Sequence, residues 1–232
     1  MMLEDLRNWV WKANIELDRA GLVKLTWGNV SGIDRDKGLI VIKPSGIPYA
    51  DLLPEQLVVL DLDGKIVEGK LNPSSDTPTH IRLYKAFPNI GGITHSHSIY
   101  TVMFAQACRE IPCLGTTHAD YFNGPVPLAR ALTPEETAED YEGNTGKVII
   151  ERFSGLNPME FPGVLVAHHG PFTWGKNAMD SVKNNIILET IAQMAFGTLS
   201  INPSASQIPS HILEKHYQRK HGPNATYGQK TQ

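Results

Sequence analysis

Gly91-Gly92-Ile93-Thr94-His95-Ser96-His97 places two histidines two residues apart, directly after a short run with strand character. Successive side chains of a strand alternate faces, so His95 and His97 are expected to point the same way, with Ser96 opposite. Two imidazoles on one face of a rigid strand can grip one metal ion. A second His-rich run, Val166-Ala167-His168-His169-Gly170, follows another apolar segment and can complete such a site. A His-x-His pair also arises by chance as two ordinary polar residues, so the pair alone does not decide the matter.

Upstream, Leu3, Leu6, Trp9, Val10, Ala13, Leu17 and Ala20 recur at helical spacing, with Glu4 and Asp5 in the first turn and Gly21 at the stop; Trp9 and Trp11 read most simply as packing residues. Leu25 to Gly32 reads as a short strand broken by Gly28 and then the turn-forming Asn29, Ser31 and Gly32, and Gly38 to Lys43 as a strand ended by Pro44-Ser45-Gly46. Leu57 to Leu62 and Lys65 to Glu68 form a hairpin around Asp63-Gly64. Asn72-Pro73-Ser74-Ser75-Asp76-Thr77-Pro78 is a helix start, with Asp76 or Thr77 as the cap and Pro78 in the first turn. Its two serines can be caps only, or can serve an anion drawn to the free N–H groups there.

Downstream, a helix is expected from about Ser98 to Cys108, and the run Leu114 to Phe122 reads as a polar loop. Thr133-Pro134-Glu135-Glu136 opens an exposed acidic helix and turn over 133–146. Lys147 to Phe153 and Gly163 to Ala167 read as strands, 177–198 as a long helix and 209–217 as a short one, followed by a Gly/Pro-rich tail. The pattern fits one α/β domain with a largely antiparallel central sheet sandwiched between helices.

Composition narrows the functional classes. The chain of 232 residues is 41% hydrophobic, enough for one domain of generous size or at most two small ones, and its formal charge of -3 argues against a nucleic-acid binder. Cys108 and Cys113 make neither a disulfide scaffold nor a thiolate metal site, and read as buried small hydrophobes. No apolar run approaches the ~18 residues of a membrane helix. The N-terminus has no basic region followed by an apolar core, so no signal peptide is expected and a cytoplasmic protein is the default.

Taken together, Thr26-Trp27-Gly28-Asn29-Val30-Ser31, Lys43-Pro44-Ser45-Gly46, Pro73-Ser74-Ser75-Asp76-Thr77, His95-Ser96-His97-Ser98, Gly115-Thr116-Thr117-His118-Ala119-Asp120-Tyr121, His169-Gly170-Pro171-Phe172, Arg219-Lys220-His221-Gly222 and Tyr227-Gly228-Gln229 stand in a familiar order. The chain closely resembles the sugar-phosphate 4-epimerase branch of the class II aldolase/adducin superfamily over nearly its whole length. The resemblance implies a single domain over 1–232 with a nine-stranded, mostly antiparallel sheet. It implies a homotetramer with cyclic fourfold symmetry, active sites at subunit interfaces, and a tail from about residue 218 reaching one of them. It implies zinc, or another divalent metal, on His95, His97 and His169, with Asp76 as a further ligand or helper base. Asn29, Lys43, Ser45, Gly46, Ser74 and Ser75 match phosphate-binding positions. Asp120 and Tyr227 match proton-transfer positions, and Thr116, Thr117, His216 and Arg219 are further candidates for contacting substrate.

The implied reaction interconverts L-ribulose 5-phosphate and D-xylulose 5-phosphate, in arabinose or ascorbate breakdown. The inverted carbon is not adjacent to the carbonyl, so simple deprotonation is a poor route. Retro-aldol cleavage of C3–C4, rotation of the aldehyde and re-addition solve the problem, given Lewis-acid stabilisation of the enediolate and one proton-transfer group on each side. Two rival readings share parts of this pattern. An aldolase that releases its aldehyde would carry Glu where this chain has Asp76. A non-catalytic interaction domain would lack the histidines.

Overall fold

The structure, a computed structural model, describes residues 2–226. Helix α1 (Glu4–Arg19) precedes β1 (Asn29–Asp34), β2 (Leu39–Ile42), β3 (Val58–Asp61) and β4 (Ile66–Glu68). Then come α2 (Thr77–Ala86), β5 (Gly92–His95), α3 (Ile99–Gln106), α4 (Thr116–Ala119) and β6 (Leu128–Ala129). The chain continues through α5 (Pro134–Glu139), α6 (Tyr141–Arg152), β7 (Gly163–Val166), β8 (Pro171–Gly175), α7 (Ala178–Ile201) and α8 (Ser210–His221). Among the described residues the sheet has eight strands, not nine, in the order β4-β3-β2-β1-β5-β8-β7-β6. All neighbours are antiparallel except β6 and β7.

Strand alternation builds the layers. Val30, Val41 and Val59 pack with Val10, Ala13 and Leu17 of α1 and Val182 of α7. Their neighbours Ile33, Ile40, Ile93, Phe172 and Trp174 face the other way, against Leu83 and Tyr84 of α2 and Val148 and Ile149 of α6. Burying each such side chain contributes roughly 1.5–3 kcal/mol before the entropy of ordering it. A third cluster joins Phe104 of α3, Leu165 of β7 and Leu188 and Ile191 of α7. Strand β5 thus runs through the middle of the sheet, between β1 and β8, with helices on both faces. Its first residue passes so close to the start of α7 that a Cβ on Gly92 would lie 2.3 Å from the Ala178 nitrogen.

Several local expectations are corrected. Residues 147–153 are not a strand but the second half of α6. The β-branched run Val148-Ile149-Ile150 favours a strand locally, but Thr145, Val148 and Ile149 are buried at helical spacing, and the Asp140 carboxylate caps the helix by accepting from the Gly143 N–H at 3.1 Å. The strand expected before Gly28 is an exposed turn in which Leu25 takes a left-handed backbone (φ 54°), and the expected turn residues Asn29, Ser31 and Gly32 form β1 instead, paired with β2 and β5 on either side. Strand β8, unmarked in the sequence pattern, starts with Pro171, and Thr116–Ala119 is a helical turn inside the expected loop. Helix α8 extends four residues beyond the expected end, to His221. Trp9 is 56% exposed, and Cys108 is exposed while Cys113 is buried. No helix among the described residues is long and apolar enough to cross a membrane.

The Gly92 approach leaves no room for a side chain. Gly92→Ala is expected to destabilise the fold by about 1–3 kcal/mol through overpacking. Thermal unfolding would then show a melting temperature lowered by several degrees, and an unchanged melting curve would contradict this account of the β5–α7 contact.

Candidate active site

His95 ends β5, in register with Asn29 of β1 on one side and Phe172 of β8 on the other. Its ring lies flat on Phe172, centroids 4.2 Å apart. Its Nδ1 is 2.9 Å from the Pro171 carbonyl, which can only accept, so Nδ1 carries the proton and Nε2 keeps its lone pair. His97, just past the strand end, brings its Nε2 to 3.1 Å from that lone pair. His169, in the turn between β7 and β8, places its ring 4.8 Å from His95 and 5.3 Å from His97, centroid to centroid. Among the described residues these three form a cluster whose ligand atoms all lie within 4.8 Å of one another.

The cluster is built to be neutral. Burial, and then the charge of His97, pull His95 down to about 3, against the opposite pull of the Pro171 carbonyl. Burial, and then His95, pull His169 down to about 3, while burial lowers His97 against the attraction of Asp76. The buried Nδ1 of His169 finds no hydrogen-bond partner among the described residues. Three neutral imidazoles that converge on one cleft are a donor set that could hold a divalent metal with open positions. His168, with a left-handed backbone (φ 62°), is exposed and turned to the Cys108 sulfur, 3.3 Å from its Nε2, so His169 is the residue that joins the cluster.

Asp76 occupies the cap position of α2, yet its carboxylate makes no capping bond among the described residues. It accepts instead from Asn29 Nδ2 at 2.7 Å, beside the histidines but outside their tight cluster. A cleft of about 540 Å³ joins these groups to Lys43, Ser45, Gly46, Ser74 and Ser75. The Ser45 N–H bonds the Asn72 carbonyl and the Ser74 N–H bonds the Lys43 carbonyl, stitching the two polar loops together. Gly46 has φ 71°, a backbone that favours glycine. Burial pulls the Lys43 ammonium down to about 8; its nitrogen is 3.4 Å from the Pro44 carbonyl and 4.8 Å above the Tyr49 ring. The buried Asn29 Oδ1 lacks a partner among the described residues.

Trp27, Tyr141 and Glu142 also line the cleft, the Trp27 and Tyr141 rings 6.3 Å from His97 and 6.0 Å from His169. Sequence reasoning missed them as site residues. Trp27 stood inside a quoted motif, whereas Tyr141 and Glu142 stood in a segment read only as an exposed acidic face.

Asp120 belongs to a different assembly. It follows α4, and its carboxylate accepts from Arg219 at 2.8 and 3.1 Å and from His216 at 3.0 Å, with the Lys220 nitrogen at 3.5 Å. Burial works to raise its pKa, but the bonds from Arg219 and His216 and the charges of Lys220 and Arg219 outweigh it and hold the carboxyl below its usual range. Thr116 and Thr117, at the start of α4, are exposed. None of these residues is among those lining the histidine cleft of the same protomer. Tyr227 lies outside the described residues.

The family described as Class II Aldolase and Adducin N-terminal domain matches residues 9–196, and the chain belongs to that family. Among curated proteins, the L-ribulose-5-phosphate 4-epimerases UlaF of Salmonella paratyphi B and Salmonella typhi are each 52% identical over 228 residues, covering 98% of this chain and 100% of theirs. Among solved structures, an L-fuculose 1-phosphate aldolase superposes with a TM-score of 0.79 at 26% identity, covering 94% of this chain and 97% of that one.

The cleft makes a prediction about pH. An anion in the cleft would be held best by charged Lys43, so above about pH 8 each binding event would first have to return a proton to the Lys43 amine. The apparent dissociation constant for inorganic phosphate is expected to rise about tenfold per pH unit above that point. Calorimetric titration from neutral to alkaline pH measures this, and the step should vanish in Lys43→Met.

Proposed function

We propose that the chain is a zinc-dependent epimerase that interconverts L-ribulose 5-phosphate and D-xylulose 5-phosphate by inversion at C4. The observation that carries this reading is a single cleft with three neutral imidazoles beside a buried ammonium and serine hydroxyls. The full-length likeness to relatives named for this reaction selects it over simple aldol cleavage. Asp76, in place of the Glu expected of an aldolase, agrees with that selection.

His95, His97 and His169 would hold the metal, with Asp76 as a helper beside them. When bound, the metal supplies Lewis-acid stabilisation of the negative charge that develops as C3–C4 breaks. Lys43, Ser45, Ser74 and Ser75 grip the phosphate, with backbone N–H groups near Gly46 and at the start of α2. Held at that end, glycolaldehyde phosphate can turn its aldehyde face without leaving, so the bond reforms with inverted configuration. The C4 oxygen lies on opposite sides in the two epimers, and one group is needed on each side to take or return its proton. Asp120 and Tyr227 fill these roles. Asp120 stays ionised, and its bonds orient His216 and Arg219 toward the same substrate.

Asp120 and its partners are drawn from a neighbouring copy in a cyclic tetramer, which explains why they do not share a cleft with the histidines of their own protomer. Exposed Ile99, Met103, Met194, Phe196 and Ile201 offer apolar area for such an assembly. We place the enzyme in the cytoplasm, in pentose breakdown.

The direct experiment strips the protein of metal, restores zinc and supplies L-ribulose 5-phosphate, following D-xylulose 5-phosphate while trapping any free glycolaldehyde phosphate. Zinc-dependent product with little free aldehyde is the expected result; stoichiometric free aldehyde would mean an aldolase. Asp120→Asn and Tyr227→Phe are each expected to lower turnover by about 10²–10⁴-fold with metal content intact. A mixing test addresses the shared site. His97→Asn and Asp120→Asn proteins, each inactive alone, should regain about a quarter of the parent activity when their subunits are exchanged in equal amounts, because a quarter of the interfaces then hold two intact halves. No recovery after verified exchange would place the whole site within one protomer.

A further inference from the structure

Helix α7 carries a row of polar residues one turn apart, Ser181, Asn185 and Glu189, on a stretch otherwise rich in apolar side chains. Ser181 bonds Thr94 of β5, Asn185 bonds Ser96 at the exit of β5, and Glu189 bonds the start of α3, two residues beyond His97. We infer that Asn185 and Glu189 are positioning residues that set the geometry of the His95-Ser96-His97 turn for its metal. The inference rests on the three-histidine metal reading proposed above.

The proton arrangement around Asn185 follows from Thr173, with the Ser96 hydroxyl nearer to Asn185 than to Ser98 Oγ, its other neighbour at 3.3 Å. Thr173 Oγ1 is 2.9 Å from the Ser181 carbonyl, which can only accept, so the Thr173 hydroxyl donates there. Thr173 Oγ1 must then accept from Asn185 Nδ2, 3.2 Å away. Asn185 Oδ1 is therefore turned toward Ser96, whose hydroxyl donates to it at 2.8 Å. Ser96 is the residue between the two histidines, fully buried on the sheet face opposite His95. The same side chain thus bridges the β5 exit to β8, and β8 is the strand whose Pro171 carbonyl fixes the His95 tautomer.

Glu189 acts one turn later. Its two carboxylate oxygens accept from the Tyr100 and Thr101 N–H groups at 2.9 and 3.0 Å. These are orphan donors of the first turn of α3, which Ser98 does not cap with its own side chain. A carboxylate at a helix N-terminus is favoured by the helix dipole, and here it comes from another helix rather than from the local sequence. His97 is therefore held between two anchors on α7, one through Ser96 and one through the start of α3. Packing alone would be served by leucine at these positions. A directional chain of bonds instead specifies the angle at which two ligands leave the strand, and outer partners of this kind tune metal affinity and geometry.

The test measures metal, not turnover. Zinc affinity by chelator competition and the visible d–d spectrum of the cobalt-loaded protein would be recorded for the parent, Ser96→Ala, Asn185→Leu, the double variant and Glu189→Gln. Asn185→Leu and Ser96→Ala should each weaken zinc binding by about 10–100-fold and shift the cobalt bands. The double variant should lose little more than Asn185→Leu alone, because that change already removes the bond to Ser96 together with the bond to Thr173. Glu189→Gln should shift the bands in the same direction. If Asn185→Leu does not fold, Ser96→Ala, a small change at a buried position, decides the matter. Variants that melt earlier yet keep the parent affinity and cobalt spectrum would overturn the positioning role. A parent that binds neither metal would instead remove the metal reading itself, and the inference with it.

Discussion

The bond from His95 Nδ1 to the Pro171 carbonyl is the constraint on which the cleft depends. It fixes the tautomer, so the opposite nitrogen faces the cluster, and it ties the end of β5 to the start of β8. The turn that delivers His169 stands immediately before Pro171, so one hydrogen bond sets the spacing between ligands that are far apart in sequence. That turn can approach because Gly170 has no side chain; a Cβ there would come within 2.9 Å of the Ser96 carbonyl. On the other side, the register of β1 against β5 pairs Asn29 with His95, which brings Asn29, and through it Asp76, beside the three histidines.

Charge in the cleft is arranged by burial as much as by composition. The chain is acidic overall, with a formal charge of -3, yet the cleft places a buried ammonium among hydroxyls and at a helix start. A local anion site needs no global basic excess. The imidazoles are kept neutral by the same burial that holds Lys43 down near 8, and neutrality is what a ligand set requires. Asp76 works against that depression at His97 and His169.

Asp120 is organised with equal care and elsewhere. Arg219 and His216 grip its carboxylate, and His221 bonds its carbonyl at 2.9 Å, so α8 is docked onto α4 through one acidic residue. A group held by this many bonds is poised rather than adaptable.

The sequence by itself determined the elements that rest on local chemistry. These include the Asp63-Gly64 hairpin, the Pro78 helix start, the Thr133 capping box and the long apolar helix α7, each visible in a few adjacent residues. It also named the histidines, through motifs whose order along the chain resembles the family. The tertiary structure alone decided what depends on distant partners. It supplied the physical reason for His169 rather than His168, the choice the resemblance implied, because His169 leaves the turn toward β5 while His168 turns to the Cys108 sulfur. It made a helix of 147–153, because burial against α2 outweighed the β-branched preference of Val148, Ile149 and Ile150. It turned Asp76 from a helix cap into a partner of Asn29, and it separated Asp120 from the cleft. Local preference is written in neighbouring residues. The direction in which a side chain leaves the backbone, and which groups it meets, is settled only when strands and helices from across the chain pack together.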